Sequence, residues 1–385
     1  MKKYLIGLIA LVLVLPCSAQ INRNAERASE TLEAIYKNYS SENTSLLREN
    51  YPFDDSYKAT YLASEEQAKP NLYSYLWPYS GTLSAVVALC CNTDDKKYLS
   101  ILDNKVLDGL EEYFDTRPPA AGYASYIKSA PLSDRFYDDN VWLVIDFAEI
   151  YLKTKDEKYL KKAEDTWRFV LSGWDDKVGG GIYWNEQKKT SKNTCSNAPS
   201  VVAAMKLYES TKNTEYKDWA VKIYDWTKQN LQDSTDYLYF DNINLRGRVD
   251  KRKYSYNSGQ MMQGAVLLYN ETKNEEYLKD AQNLAKSCYN YFFTDFDGIN
   301  FRLIKAGDVW FTAVMLRGFV ELYHVDKNKE YINAFQNNLD YLWDNVREEN
   351  GLFNKDFSGA SKDKLKWLLT QAAIVEMYAK MIETL

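Results

Sequence analysis

The chain has 385 residues, 48 Lys and Arg against 54 Asp and Glu, and a formal net charge of −6. That mildly acidic balance comes without a Lys/Arg-rich run, which argues against a nucleic acid partner. A single histidine, His324, sets aside Ser-His-Asp triads and metal sites built on several histidines, so no cofactor or metal is expected. The acid/base groups that remain are carboxylates, tyrosines and lysines, of which carboxylates suit chemistry near neutral pH.

At the start, Met1-Lys2-Lys3 precedes the apolar run Tyr4 to Pro16, too short for a membrane span and patterned as a secretory signal peptide. Cys17-Ser18-Ala19 suits cleavage after Ala19, which makes residues 1–19 the leader and marks the protein as exported, to the periplasm or cell surface. A lipoprotein reading would instead cleave before Cys17 and acylate it, giving a lipid anchor without membrane insertion. Pro16 fits that reading poorly. Residues 20–385 are then expected as one domain acting as a monomer. Cys90, Cys91, Cys195 and Cys288 have no disulfide-framework spacing and are expected as free, buried thiols.

Further along, one phrase recurs. It runs Ile150-Tyr151-Leu152-Lys153-Thr154-Lys155-Asp156-Glu157-Lys158-Tyr159 and returns at Leu207–Tyr216, Leu268–Tyr277 and Leu322–Tyr331, with a diverged copy at Leu89–Tyr98. The markers Tyr151, Tyr208, Tyr269 and Tyr323 lie 57, 61 and 54 residues apart by subtraction. Each phrase joins the end of an apolar helix to an amphipathic one through a short Lys-Asn/Asp turn. The first helix of each unit, such as Ala198 to Leu207, is nearly apolar and should be buried all round. The second, such as Tyr277 to Ala285, carries one apolar stripe and should lie outside. The expected fold is all-α, an (α/α)6-type toroid of six or seven helical hairpins with inner and outer rings; a solenoid has shorter, more equal repeats.

The links from outer to next inner helix are long and must all emerge at one end of such a toroid. They span Tyr113 to Phe136, Gly173 to Asn193, Asp233 to Tyr254, Thr294 to Asp308 and Asp344 to Lys362, and loops of that length usually carry function. They are rich in aromatic residues: Trp174, Tyr183, Trp184, Tyr237, Tyr239, Tyr254, Tyr256 and Phe301. Aromatic faces stack on the C–H faces of sugar rings while Asn, Gln and Asp bond the hydroxyls. In the same region Tyr137-Asp138-Asp139-Asn140-Val141-Trp142-Leu143 sets two adjacent carboxylates where a polar loop meets an apolar helix. Asp138 and Asp139 fall at the N-cap or first turn, where the helix dipole favours negative charge. Asp54-Asp55, Asp94-Asp95 and Asp175-Asp176 are pairs too, so context and not the dipeptide distinguishes this one.

On these residues the chain resembles glycoside hydrolase family 76, the bacterial endo-α-1,6-mannanases and their relatives. The matching segments are Tyr75-Leu76-Trp77-Pro78, Tyr137 to Trp142, Gly179-Gly180-Gly181-Ile182-Tyr183-Trp184, Asn193 to Pro199 and Tyr254 to Gln260. Cys195 and Ser258 depart from the expected pattern. The resemblance implies an (α/α) toroid and a retaining hydrolase of α-1,6-mannosidic linkages in α-mannan or manno-oligosaccharides, with Asp138 as nucleophile and Asp139 as general acid/base. Consecutive residues at a helix start diverge by about 100° around the axis, which suits the ~5–5.5 Å carboxyl separation that retention needs. Asn140, Trp77, Tyr183, Trp184, Asn197, Tyr256 and Asn257 are the expected substrate-binding residues. The alternatives are a non-catalytic cell-surface glycan-binding protein or another toroid enzyme, such as an unsaturated-uronyl hydrolase, using the basic clusters Arg246-Gly247-Arg248 and Lys251-Arg252-Lys253.

Overall fold

The protein is described by a computed structural model over residues 17–62 and 70–384. Residues 1–16 of the expected leader lie outside the described residues, as do the side chains of Cys17, Ser18 and Ala19. No described helix is long and apolar enough to cross a membrane.

Helices α1 (Cys17–Tyr39), α2 (Leu76–Asn92), α3 (Lys97–Ile101), α4 (Leu107–Leu110), α5 (Tyr137–Thr154), α6 (Glu157–Leu171), α7 (Thr194–Thr211), α8 (Thr214–Leu231), α9 (Ser255–Thr272), α10 (Glu275–Phe292), α11 (Val309–Asp326), α12 (Lys329–Asn345) and α13 (Leu368–Ile382) follow in order. Inner helices α2, α5, α7, α9, α11 and α13 each pack on the next, and α13 packs back on α2, closing a ring. Around them lie α1, the α3–α4 run joined by a π turn, α6, α8, α10 and α12. The fold is therefore an (α/α)6 toroid. Composition explains the layers: α7 buries almost every residue from Thr194 to Leu207, whereas α10 buries only Ala281, Leu284, Ala285 and Cys288.

The inner ring is less apolar than its sequence pattern suggests, because it buries a few charges in pairs. Arg317 on α11 donates to both carboxylate oxygens of Glu376 on α13, at 2.5 and 3.0 Å, and Asp146 on α5 accepts from the Ser84 hydroxyl at 2.7 Å. Removing one partner of such a pair would leave an uncompensated buried charge.

At one end, inner and outer helices join through two-residue turns built alike. Lys155, Lys212, Lys273 and Lys327 take left-handed φ values of 59°, 59°, 57° and 57°. Each donates its N–H to the carbonyl of its marker tyrosine, Tyr151, Tyr208, Tyr269 or Tyr323. The next residue, Asp156, Asn213, Asn274 or Asn328, caps the outer helix by accepting an N–H two residues on. In each turn the lysine ammonium lies 5.4 to 5.5 Å from the centre of that same tyrosine ring.

The count of six hairpins is settled by α1. It precedes every repeat in sequence yet is the outer partner of α13, so the last unit is assembled from both chain ends. Arg27 fastens it, pairing with Asp340 at 2.5 Å and lying 5.0 Å from the Trp343 ring centre. Beside it the strands Asn50–Tyr51 and Lys366–Trp367 pair antiparallel. The other described strands are also short and lie in the long links. The largest group is an antiparallel sheet of Ser191–Asn193, Phe240–Asn244 and Val249–Lys253.

Candidate active site

The first turns of the inner helices face the mouth of the ring at the long-loop end. The second residues of five of them, Trp77, Asp138, Cys195, Tyr256 and Trp310, all line one cleft of about 590 Å³. From the third positions come Asp139 and Phe311. Tyr256 and Phe311 stack at 4.0 Å with planes 13° apart, Phe311 continues to Trp77 at 6.0 Å, and Tyr61 meets Trp77 edge-on at 5.2 Å. Trp184 and Phe136, their ring centres 5.0 Å apart, line the same cleft, and Asn193, Asp241, Asn242 and Arg252 add polar groups from the sheet.

Trp184 reaches the pair because the loop is tied to the helix start. Tyr137 donates its N–H to the Trp184 carbonyl at 2.9 Å, and Trp184 donates its own N–H to the Ser191 carbonyl at 3.2 Å. The glycines before it are needed: Gly180 and Gly181 have φ of 132° and 90°. A Cβ on either would come within 2.7 Å of Trp174 or 2.5 Å of Trp226.

The two aspartates have different surroundings. Asp138 Oδ2 accepts from the Trp184 indole N–H at 2.9 Å and from the Cys195 thiol at 3.2 Å. Its Oδ1 is buried without a hydrogen-bond partner among the described residues. Burial pushes the Asp138 carboxyl up to about 6, against the two donors that favour its anion. Asp139 is driven well above the ordinary carboxylate range, first by burial and then by the charge of Asp138. Asp138 thus has donors that favour its anion, while burial and the Asp138 charge both favour the protonated form of Asp139. Neither aspartate is the cap of α5: that position is Phe136, which makes no side-chain cap bond.

Of the residues expected to bind substrate, Trp77, Trp184 and Tyr256 line the cleft with the aspartates, and four others do not. Asn140 is fully buried, accepting the Tyr123 N–H at 2.7 Å and donating to the carbonyls of Tyr123 and Phe136. Asn197 does the same for Ile182, at 2.7 and 2.9 Å, and for Asn193. Both stand fourth in their helices, and Gln371, fourth in α13, clamps Phe353 likewise. Ser258, fourth in α9, accepts the Tyr239 N–H at 3.0 Å, which accounts for one departure from the family pattern. These side chains are buried and spend their hydrogen bonds on holding the loops. Tyr183 is also buried, its hydroxyl donating to Asp175 at 2.8 Å and its ring covered by Lys192. Asn257 is buried off the lining, with no partner for its amide among the described residues. Of the loop aromatics, Trp174 packs on Trp219 and Trp226, and Tyr239 is core.

Cys195, Trp310 and Phe311 escaped the expected set although a signal for them exists. Asp138, Cys195, Tyr256 and Trp310 each stand 13 residues before their marker tyrosine, by subtraction. Counting back from each repeat would have found the ring of residues around the cleft. Tyr61 comes from a loop and Asp241 and Arg252 from the strands of a long link, outside the helical repeat, so they carry no such register.

A toroid with a carboxylate pair on the floor of an aromatic cleft has the build of a carbohydrate-active protein. The chain belongs to glycosyl hydrolase family 76, whose model matches residues 23–304. It is similar to the family 76 mannosidase Bt3792 of Bacteroides thetaiotaomicron, with 32% identity, a TM-score of 0.85, and coverage of 94% of this chain and 98% of that one. An inactive variant of the α-1,6-mannanase GH76A of Salegentibacter sp., with two consecutive aspartates changed to asparagine and α-1,6-mannotriose bound, is 25% identical. Its TM-score is 0.75, with 94% of this chain and 99% of that one covered. The mannan endo-1,6-alpha-mannosidase DCW1 of Saccharomyces cerevisiae is 30% identical over 144 residues, 33% of this chain. The chain matches about two fifths or less of the length of such curated fungal relatives.

Proposed function

We propose that the protein hydrolyses α-1,6-mannosidic linkages in α-mannan with retention of configuration, as an exported enzyme. The observation that carries this reading is the unequal pair, an Asp138 whose Oδ2 accepts from two donors beside an Asp139 whose carboxyl is pushed upward by burial and by the Asp138 charge. In the first step an Asp138 oxygen bonds to the anomeric carbon, the glycosidic C–O bond breaks, and the Asp139 proton goes to the departing oxygen. In the second step Asp139 takes a proton from water, whose oxygen attacks the same carbon and displaces Asp138. The stacked Trp77, Phe311 and Tyr256 supply faces for pyranose rings, and Asn193, Asn242 and Arg252 supply hydroxyl partners. The substrate assignment leans on the names of the relatives and on the bound mannotriose of the Salegentibacter variant. Export leans on the leader-like residues 1–19.

The test is a pair of variants assayed on linear α-1,6-mannan and on an aryl mannoside with an activated leaving group. Asp138→Asn should lose about 10⁴-fold or more in rate on both, because no covalent intermediate can form. Asp139→Asn should lose far more on mannan than on the aryl mannoside, and azide should partly restore it, giving an azide product of retained configuration. A folded Asp138→Asn protein with near-normal rates would overturn the assignment.

A further inference from the structure

Cys195 is the remaining departure from the family pattern, and its place in the fold is specific. It is the second residue of α7, as Asp138 is of α5, so the closed ring brings their side chains together on the cleft floor. The thiol is 3% exposed, lines the cleft, and lies 3.2 Å from Asp138 Oδ2, the oxygen that also accepts from Trp184. Burial, then the charge of Asp138, pushes the thiol well above its ordinary value, so it is a donor here and not a thiolate. With Oδ2 bonded twice and Oδ1 without a protein partner, the carboxylate is fixed with one oxygen directed away from both donors.

We infer that Cys195 is a positioning residue for the reaction: its S–H and the Trp184 N–H together orient the Asp138 carboxylate and stabilise its anion, leaving Oδ1 as the attacking oxygen. The inference rests on Asp138 being the nucleophile. A thiol is a weaker and longer-range donor than a hydroxyl, so it steadies the anion while withdrawing less of its basicity than serine would. The other titratable or charged groups facing Asp138 are Asp139 beside it on α5, Tyr256 from α9, and Asp241 with its partner Arg252 from the sheet. Of these, Tyr256 also bonds the Cys195 side chain, a contact that Cys195→Ser can keep and Cys195→Ala loses.

The experiment compares Cys195→Ser and Cys195→Ala with the parent protein, and with Asp138→Asn as a reference, using the pH dependence of kcat/KM on α-1,6-manno-oligosaccharides. Cys195→Ala removes a hydrogen bond to a charged group, so kcat should fall about tenfold with KM little changed. Its acidic limb should move to higher pH, because the Asp138 anion has lost a donor. Cys195→Ser should keep kcat within about threefold, with the acidic limb unmoved or shifted to lower pH, since a hydroxyl is the stronger donor. A folded Cys195→Ala protein with the parent's kcat and acidic limb would overturn the inference. So would a limb that moves the same way in both variants. Activity in Asp138→Asn would instead overturn the nucleophile assignment on which it rests, so the two failures are distinguishable.

Discussion

The two ends of the toroid are built from the same helices by opposite means. At the turn end, four links use two residues each, take φ values within 2° of one another and repeat the same cap and the same lysine-over-tyrosine contact. At the cleft end the links are long, differ from one another, and are held by side chains reaching up from the helices: Asn140, Asn197, Ser258 and Gln371. Regular turns fix the helices relative to one another, so that equivalent first-turn positions converge on one mouth. What stands at those positions is then free to differ. Asp138, Cys195, Tyr256 and Trp310 are the same place in the fold put to four uses.

Four substitutions probe that contrast, beginning with a matched pair that carries the largest effect. Asn140→Ala should destabilise the protein by about 2–4 kcal/mol, because the buried N–H and carbonyl of Tyr123 lose their partner. Asn257→Ala, one position earlier in its own helix and without partners, should change stability by less than about 1 kcal/mol. Urea unfolding of the two variants checks the difference, and equal costs would break the distinction between clamp and bystander. Next, Asp139→Asn should melt higher than the parent at pH 8. The Asp139 carboxyl is raised above its ordinary value of 3.8, so the stability it contributes is present below that value and lost as pH rises through the window above it. The gap between variant and parent should therefore close as pH falls toward 4, which melting curves across that range can follow. The smallest effect belongs to the turn end. Lys212→Gly removes the left-handed strain at a loss of one ring contact, and should alter stability by no more than about 1 kcal/mol while leaving the hydrolysis rate unchanged.

The same contrast decides what was legible in the sequence. The turn end was, since its phrase recurs and its apolar periods are long, and from it the rings, the long-loop end and the place of Asp138 and Asp139 follow. Closure by α1 was not, because its partner α13 lies at the far end of the chain and no local pattern joins them. Nor were the roles of Asn140 and Asn197. A buried amide clamping a loop and an exposed amide holding a sugar are the same letter, and only the backbone groups around it tell them apart. Tyr183 differs from its neighbour for a like reason: alternate residues of an extended loop point opposite ways, Trp184 into the cleft and Tyr183 onto Lys192. Arg317 and Glu376 sit in helices that read as apolar, and their pairing needs the closed ring.

Two displacements at Asp138 and Asp139 would release a sugar end of retained configuration. Proton NMR of the first sugar ends released from linear α-1,6-mannan, recorded before mutarotation, tests it most directly. The α-anomer should appear first. A β-anomer appearing first would mean direct attack by water, and would contradict a covalent role for Asp138.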